Sequence, residues 1–327
     1  MSDYQLAPNV LITSVGRRVS LVKLFQEATK NASGGTVFTT DSLPAMSAAC
    51  HVSEKSFSVP RVNDPQYLDV LLQICKDHEI SLIIPTIDTE LELLASVRNQ
   101  WKIEHQIEIT ISDTELVSIC RNKRETSELF GSMGINSPTE LASDSNVFPR
   151  FIKPIAGSRS IDIHRVDSSD MMQDKYLNRA KYIQQELVDL QKYREFTVDA
   201  FYTSDGNLIC LVPRERLEVR DGEVSKGRTH KGQLVNILRQ KLTNLPGARG
   251  VLTFQFFVQF DSEQSPIEIL GIEINPRFGG GYPLTDSAGA RYVDWLVEGH
   301  FKNEKSEYFD GWRDDLIMLR FDAEIFI

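Results

Sequence analysis

Four short apolar segments, separated by stretches of helical periodicity, constrain the fold of this chain most strongly. They span residues 10–12, 36–40, 81–87 and 107–111. Between them, apolar residues recur at spacings of three and four, as in residues 21–28, which is typical of amphipathic helices. Strands that alternate with helices form a parallel sheet covered by helices on both faces. The sequence therefore predicts an α/β domain with a parallel sheet over about residues 1–112.

The pattern changes after residue 145, where pairs of strands replace the strand–helix alternation. Residues 204–207, with the sequence Ser-Asp-Gly-Asn, form a hairpin turn signal between two apolar strands. A second long pair of strands is predicted over residues 251–260 and 267–274. Antiparallel hairpins of this kind indicate an α+β architecture. We therefore predict helices over residues 113–145, followed by an α+β C-terminal half with antiparallel hairpins.

Composition narrows the classes of function. The formal net charge is −10 in 327 residues, and an acidic chain is a poor general partner for nucleic acid. The four cysteines are scattered without a C-x-x-C pair, which favours free thiols over a zinc or redox site. No stretch approaches the roughly 20 apolar residues of a membrane span, and the N-terminus does not resemble a signal peptide. We expect a soluble cytoplasmic protein without nucleic-acid or membrane partners, with a homodimer as the default oligomer.

The most specific chemical signal is a short segment that combines a carboxylate, an amide and an arginine. Glu273 and Asn275 are two residues apart, so their side chains share a face of a strand. Their oxygens are ligands suited to Mg²⁺, with Mn²⁺ as a second choice. Arg277 follows at a position suited to phosphate, and Gln255 in the preceding apolar strand would supply a third oxygen. The alternatives are an edge strand with a surface carboxylate and a glutamine bonded to backbone.

Lysines near small residues indicate a candidate phosphate site. Lys153 precedes the loop at residues 157–160, which contains only Gly, Ser and Arg. Small residues allow close approach to phosphate oxygens, and consecutive N–H groups can form an anion nest. Lys123 opens a predicted helix after Asn122. Taken alone, the loop is also typical of an ordinary hairpin, and Lys123 of a solvated surface lysine.

Two further patterns bear on the ligand. Arg214 and Arg216 belong to a basic cluster over residues 213–231, which favours an anionic substrate, although a solvated charged hairpin would look the same. In the N-terminal domain, Gly16 and Asp41 follow the first and second strands, as in dinucleotide-binding proteins. Only one glycine of the G-x-G-x-x-G fingerprint is present. A dinucleotide-dependent oxidoreductase is therefore a third-ranked hypothesis.

Taken together, these residues resemble the ATP-grasp superfamily, and most closely the ATP-grasp units of the carbamoyl-phosphate synthase large subunit and short stand-alone relatives. The matching segments span residues 13–22, 83–95, 122–140, 213–229 and 273–284. The last of these is the most specific. The resemblance implies a pre-ATP-grasp Rossmann-like domain over residues 1–112, then a two-part ATP-grasp fold. Its parts would be linker helices with the small subdomain over 113–190 and the large C-terminal subdomain over 191–327.

The resemblance also implies a role for each candidate residue. The ATP-binding set would comprise Lys123 and Lys153 on the phosphates, the loop residues Gly157, Ser158 and Ser160, the adenine-binding segment Gln185, Glu186, Leu187 and Val188, and Glu195 on the ribose. Magnesium would be held by Gln255, Glu273 and Asn275. Arg277 would stabilise the transferring phosphoryl group, and Arg214 and Arg216 would hold the acid. Asn122, where an aspartate is commoner, and Arg159, which interrupts the usual glycine-rich loop, are departures that bear on ATP affinity.

The predicted function is an ATP-dependent, magnesium-requiring ligase that joins a small-molecule carboxylate to an amine or a thiol. The carboxylate would form an acyl phosphate, with release of ADP and then phosphate. A C–N bond is the expected product. A single ATP-grasp unit argues against carbamoyl-phosphate synthesis itself. The competing hypothesis is a non-catalytic ATP-binding or regulatory protein.

Overall fold

A five-stranded parallel sheet occupies the N-terminal part of the computed structural model, which describes residues 8–32, 34–142, 144–157, 162–220, 222–299 and 307–327. Its strands are β1 (Asn9–Ile12), β2 (Val37–Asp41), β3 (Lys55–Ser58), β4 (Ile80–Ile84) and β5 (Glu108–Ile109). They are ordered β3-β2-β1-β4-β5. Helices α1 (Val19–Asn31), α2 (Tyr67–Asp77) and α3 (Asp88–His105) connect them. The predicted Rossmann-like parallel sheet is confirmed.

The central strands of this sheet are apolar on both faces because helices cover both sides. Val10, Leu11 and Ile12 of β1 are fully buried. Val10 and Ile12 pack in one cluster with Phe25 of α1, whereas Leu11 packs in another with Leu71 of α2. Successive side chains of a strand point to opposite faces, so one short apolar run serves two cores. The sequence did not predict β3, because this edge strand is exposed at both ends and only half-buried between them.

Two helices and a small antiparallel sheet follow. The helices are α4 (Thr114–Arg121) and α5 (Lys123–Ser132), and the strands are β6 (Arg150–Pro154), β7 (His164–Val166) and β8 (Tyr182–Glu186). Asn122 caps α5, since its side-chain oxygen accepts a hydrogen bond from the backbone N–H of Arg124 at 3.0 Å. Gly134 follows α5 with a φ of 68°, a conformation that favours glycine. The strands are ordered β7-β6-β8, and β6 delivers Lys153 to its carboxyl end.

A six-stranded antiparallel sheet forms the C-terminal part. Its strands are β9 (Tyr193–Tyr202), β10 (Leu208–Arg220), β11 (Glu223–Thr229), β12 (Gly250–Phe260), β13 (Pro266–Asn275) and β14 (Ile317–Leu319). They are ordered β13-β12-β9-β10-β11-β14, with helices α6 (Gln233–Leu242), α7 (Tyr282–Ser287) and α8 (Tyr292–Val297). The predicted combination of a parallel sheet with antiparallel sheets is confirmed. The three-stranded sheet falls within residues 113–190 and the six-stranded sheet within 191–327.

The expectation of free thiols finds its counterpart in the fold. All four cysteines are free, with Cys50, Cys75 and Cys210 buried and Cys120 half-buried. Across the part of the chain that the structure describes, no helix combines the length and apolar character needed to span a membrane.

Candidate active site

The register of the large sheet places polar side chains from four strands on one face. Gln255 of β12 pairs directly with Glu273 of β13, and Thr253 pairs with Asn275 two positions away along the same two strands. Residues directly opposite each other in an antiparallel pair point to the same face. The neighbouring positions Phe254, Phe256 and Ile274 point the other way and are buried. The three oxygens that the sequence assigned to a metal therefore share one face of two adjacent strands.

The same face continues onto β9 and β10. Glu195 lies beside Gln255, whose Nε2 donates a hydrogen bond to its carboxylate. Arg216 of β10 lies on the other side of Glu195, with its Nε 3.1 Å from Glu195 Oε1. Arg216 Nη2 also donates to the carbonyl of Gly222 at 3.1 Å, and its side chain is 13% exposed. Glu195 is thus held between an amide and a guanidinium.

Two lysines from the small subdomain approach this face. Lys153 is 6% exposed, and burial, together with the charge of nearby Lys123, lowers the pKa of Lys153 to about 8 despite the opposing effect of Glu273. Burial likewise lowers the pKa of Lys123, again partly offset by Glu273. Lys123 Nζ donates to the carbonyl of Gly157 at 3.1 Å. Neither ammonium group forms a salt bridge with a carboxylate of the described residues, and two neighbouring cations of this kind are suited to a polyanion such as a triphosphate.

The small-residue loop is described only at its start. Gly157 lines a cavity with Glu273 and Asn275, and its φ of 154° lies in a region that favours glycine. Ser158 and Ser160, which were assigned to the phosphates, lie outside the described residues, as does Arg159.

The donor set fits a hard divalent cation. Glu273 offers one carboxylate, and Gln255 and Asn275 offer amide oxygens, as oxygen-preferring Mg²⁺ requires. Within the described ranges, no group of three or more His, Cys, Asp or Glu side chains could hold a metal. A cation at Gln255, Glu273 and Asn275 would therefore need further ligands from the phosphates of a bound nucleotide.

Arg214 is positioned differently from Arg216. Its Nε and Nη2 each donate to Asp199 at 2.9 Å, and the two side chains are 2% and 0% exposed. Asp199 also accepts hydrogen bonds from Thr253 at 3.1 Å and Thr285 at 2.6 Å. This geometry disfavours the predicted substrate contact for Arg214, because the guanidinium is buried and already engaged. A buried ion pair with further hydrogen bonds instead fixes the local structure.

The glycine run after Arg277 is explained by close packing around that ion pair. A Cβ at Gly281 would lie 2.1 Å from Nη1 of Arg214, and one at Gly279 would lie 2.9 Å from Cγ2 of Thr253. A side chain is therefore excluded at both positions. The sequence showed the glycines but not the guanidinium that they surround.

Arg277 contacts a residue of the N-terminal domain that the sequence analysis did not single out. Asp88 accepts hydrogen bonds from Nε and Nη2 of Arg277 at 2.7 and 3.0 Å. The carbonyl of Phe278 accepts from Arg277 Nη1 and from Arg18 Nη1, each at 3.1 Å. Arg18 also donates to the carbonyl of Thr86 at 2.9 Å. Residues that follow β1 and β4 therefore hold the segment after β13 in place. The sequence indicated this contact only through an acidic residue at the start of α3.

The predicted adenine segment lies at the end of β8, beside the chain segment between α5 and β6. Gln185 is buried and its Nε2 donates to the carbonyl of Pro138 at 3.0 Å. Glu186 pairs with Thr139 through backbone and side chain, at 3.0 and 2.8 Å. Leu187 and Val188 follow with half-buried side chains. The side chains of Gln185 and Glu186 therefore bind the chain segment between α5 and β6. A base would consequently be recognised by the backbone of the predicted adenine segment.

The first turn of the parallel sheet is closed by its own side chains. Asp41 accepts hydrogen bonds from the backbone N–H groups of Gly16 at 3.1 Å and Leu43 at 3.2 Å. Ser47 Oγ donates to the carbonyl of Gly16 at 2.8 Å. A dinucleotide would need this carboxylate for its ribose and this turn for its pyrophosphate. The geometry therefore disfavours the oxidoreductase hypothesis.

Comparison with known protein families gives two matches. Residues 10–111 match the family described as PylC-like, N-terminal domain. Residues 187–320 match the family described as ATP-grasp in the biosynthetic pathway with Ter operon. No curated protein matches the sequence significantly.

Solved structures similar to this chain extend over nearly its whole length. The biotin carboxylase domain of Hydrogenobacter thermophilus 2-oxoglutarate carboxylase, solved as a dimer with MgADP and bicarbonate, has a TM-score of 0.69 at 12% identity, covering 96% of this chain and 74% of that one. Bacillus licheniformis L-amino acid ligase has a TM-score of 0.66 at 16% identity, covering 95% of this chain and 78% of that one. The ADP complex of Staphylococcus aureus N5-carboxyaminoimidazole synthetase has a TM-score of 0.66 at 14% identity, covering 96% of this chain and 80% of that one. At these identities the likeness shows the fold. Together with the match of residues 187–320 to an ATP-grasp family, it shows that the chain has an ATP-grasp fold.

Proposed function

We propose that this protein is an ATP- and Mg²⁺-dependent ligase that joins a small-molecule carboxylate to an amine, with a thiol as the alternative nucleophile. The observation that carries the proposal is the convergence of Gln255, Glu273 and Asn275 on one face of the large sheet, beside Lys123 and Lys153. Oxygen ligands next to paired cations are what a metal–triphosphate complex needs. A small-molecule acid and amine are the proposed substrates.

The proposed reaction has two balanced steps. A carboxylate oxygen of the substrate attacks the γ-phosphorus of ATP, the bond from that phosphorus to the β–γ bridging oxygen breaks, and ADP leaves. The amine nitrogen then attacks the acyl carbon, the carbon–oxygen bond to phosphate breaks, and the amine gives up one proton. The products are an amide, ADP and inorganic phosphate.

The side chains of the site would act mainly by positioning and by neutralising charge. Lys123 and Lys153 would bind the phosphate oxygens, and Glu195 would accept hydrogen bonds from the ribose hydroxyls. Arg277 would face the transferring phosphoryl group. A bound divalent cation, held by Gln255, Glu273 and Asn275, would supply Lewis-acid neutralisation of the phosphate charge. Arg216, rather than the buried Arg214, would be the cation nearest the acid.

The test is ADP release measured against a panel of carboxylates combined with amines and thiols. With a carboxylate labelled with ¹⁸O at both oxygens, an acyl phosphate requires one labelled oxygen in the released phosphate. Glu273→Ala should abolish turnover, while Glu263→Ala, in the exposed turn of the same hairpin, should leave it unchanged. Phosphate released without label would contradict the acyl-phosphate route.

The competing function is a non-catalytic ATP-binding protein. It predicts nucleotide binding without turnover on any panel, and a Glu273→Ala effect confined to binding. The clustering of Gln255, Glu273, Asn275 and Arg277 favours catalysis, since a binding module has no need for a phosphoryl-directed arginine beside a metal set. Free buried thiols support the proposed cytoplasmic location. The dimeric state of a similar biotin carboxylase domain supports a homodimer.

A further inference from the structure

Asp88 carries a carboxylate from the N-terminal domain into the candidate site. It is the first residue of α3, close behind β4, and its side chain is 11% exposed. It lines the same cavity as Gly157, Glu273 and Asn275. Asp88 therefore lies close enough to affect the metal and phosphate contacts, although it belongs to another domain.

The contact that Asp88 makes fixes the orientation of Arg277. The carboxylate binds Nε and Nη2 of Arg277 and so occupies one edge of the planar guanidinium. The neighbouring edge, formed by Nη1 and Nη2, donates to the carbonyl of Phe278 at 3.1 Å and to Oδ1 of Asn275 at 3.3 Å. The guanidinium of Arg277 is consequently held in one orientation, with Nη2 facing Oδ1 of the candidate metal ligand Asn275.

The surroundings of Asp88 keep it in the form that can make this contact. Burial alone would raise the pKa of Asp88, but the charge and hydrogen bonds of Arg277, helped by Arg121 and Arg18, outweigh burial and lower that pKa. The N-terminus of α3 also favours a negative charge. An ionised carboxylate keeps both oxygens available as acceptors for the guanidinium.

We propose that Asp88 is a positioning residue, which orients Arg277 toward the γ-phosphate from across the domain boundary. This inference rests on the proposed function, because it requires Arg277 to contact the phosphoryl group that is transferred. In this role Asp88 would act through Arg277 and not through a contact of its own with the nucleotide. Its effect is to hold the guanidinium of Arg277 in one orientation before the nucleotide arrives, which reduces the ordering cost at binding.

A purely electrostatic role for Asp88 would have the opposite sign. A carboxylate near a triphosphate repels it, and repels the more highly charged nucleotide more strongly. Neutralising Asp88 would then strengthen binding of a nucleotide with a γ-phosphate relative to ADP. Positioning predicts that the same change weakens it, so the direction of the effect separates the two roles.

The experiment compares the affinities of the full-length protein for MgADP and for the magnesium complex of the β,γ-imido analogue of ATP, by calorimetry. The ratio of the two dissociation constants isolates the γ-phosphate and needs no knowledge of the acid or amine. The variants are Asp88→Asn, Arg277→Lys and the double variant. Glu92→Gln is the matched control, because it removes one exposed charge on the same helix.

Asp88→Asn should reduce the preference for the imido analogue about tenfold, the size expected for losing one well-oriented charge-assisted contact, while MgADP affinity and Glu92→Gln stay near wild type. The double variant should lose no more than Arg277→Lys, since the two residues act as one unit. Asp88→Glu, which displaces the carboxylate by one methylene group, should lose preference as well and serves if Asp88→Asn does not fold.

Three results would overturn the inference. An unchanged or increased preference in Asp88→Asn excludes positioning, and so does a double variant whose losses add. If wild type and Arg277→Lys show the same preference, Arg277 does not contact the γ-phosphate, and that part of the proposed function fails together with the role of Asp88. Loss in Arg277→Lys but not in Asp88→Asn would instead sink the Asp88 inference alone.

Discussion

Replacing Gly281 by alanine tests whether the buried ion pair between Arg214 and Asp199 supports the large sheet. The added Cβ would lie 2.1 Å from Nη1 and 3.0 Å from Cζ of Arg214, and 2.9 Å from Cγ1 of Val224. The backbone of Gly281 has a φ of −92°, which alanine adopts without strain. Any loss of stability must therefore come from the side-chain clash and not from backbone conformation.

The expected loss follows from what the guanidinium would have to leave. To relieve a 2.1 Å contact, Arg214 must move away from Asp199, whose carboxylate is fully buried. Breaking a buried pair typically costs about 3 to 5 kcal/mol, because a charge is left without its partner. Thr253 and Thr285 still donate to Asp199, so we expect a value near the lower end, about 3 kcal/mol.

The assay is urea unfolding followed by circular dichroism, with the free energy of unfolding compared at an unchanged m-value. Gly131→Ala in α5 is the control, since a Cβ there meets nothing within 4 Å and alanine favours the helix by up to about 1 kcal/mol. A Gly281→Ala protein within about 1 kcal/mol of wild type would refute the steric argument. An equal loss in an Arg214→Met background would show that the clash lies elsewhere.

Three further predictions concern other parts of the molecule. The pKa of Lys153 is about 8, and only the ammonium form binds phosphate. The affinity for MgADP should therefore be constant below pH 8 and fall by up to about tenfold per pH unit above it. Lys153→Arg should remove this pH dependence. Glu90→Gln should lower the melting temperature and destabilise the N-terminal domain by about 3 kcal/mol, because the buried carboxylate accepts four hydrogen bonds, two of them from the side chains of Ser14 and Tyr67. Gly271→Ala should cost about 1 to 3 kcal/mol in urea unfolding, since its Cβ would lie 2.4 Å from the ring of Phe130.

Features set by neighbours along the chain could be predicted from the sequence. Asn122 caps α5 and Gly134 follows it in a left-handed conformation, as their residue types indicated. Glu273 and Asn275 share a face because strands have a period of two. The parallel and antiparallel sheets followed from the same local patterns of apolar residues.

Features that depend on distant parts of the chain could not be predicted. Arg214 looked like a free cation, and only the fold shows its buried ion pair with Asp199. Asp88 looked like a helix-start residue, and its bond to Arg277 spans 189 positions in sequence. A side chain's local pattern gives its direction on an element, whereas its partner is decided by how strands pair within a sheet and by how domains meet.

One irregularity in the pairing of β12 and β13 has a consequence for how this site tolerates change. Gln255 faces Glu273, but the next residue, Phe256, faces Gly271, so Ile272 has no counterpart. This extra residue shifts the phase of β13, so that Gly271 lies with the aromatic core while Glu273 and Asn275 face the opposite side. Deleting Ile272 would remove the bulge and make Gly271 and Glu273 neighbours, which ordinary alternation still places on opposite faces. Inserting a second residue beside Ile272 would instead turn either Gly271 or the candidate site residues to the wrong face, so this position should tolerate a deletion better than an insertion.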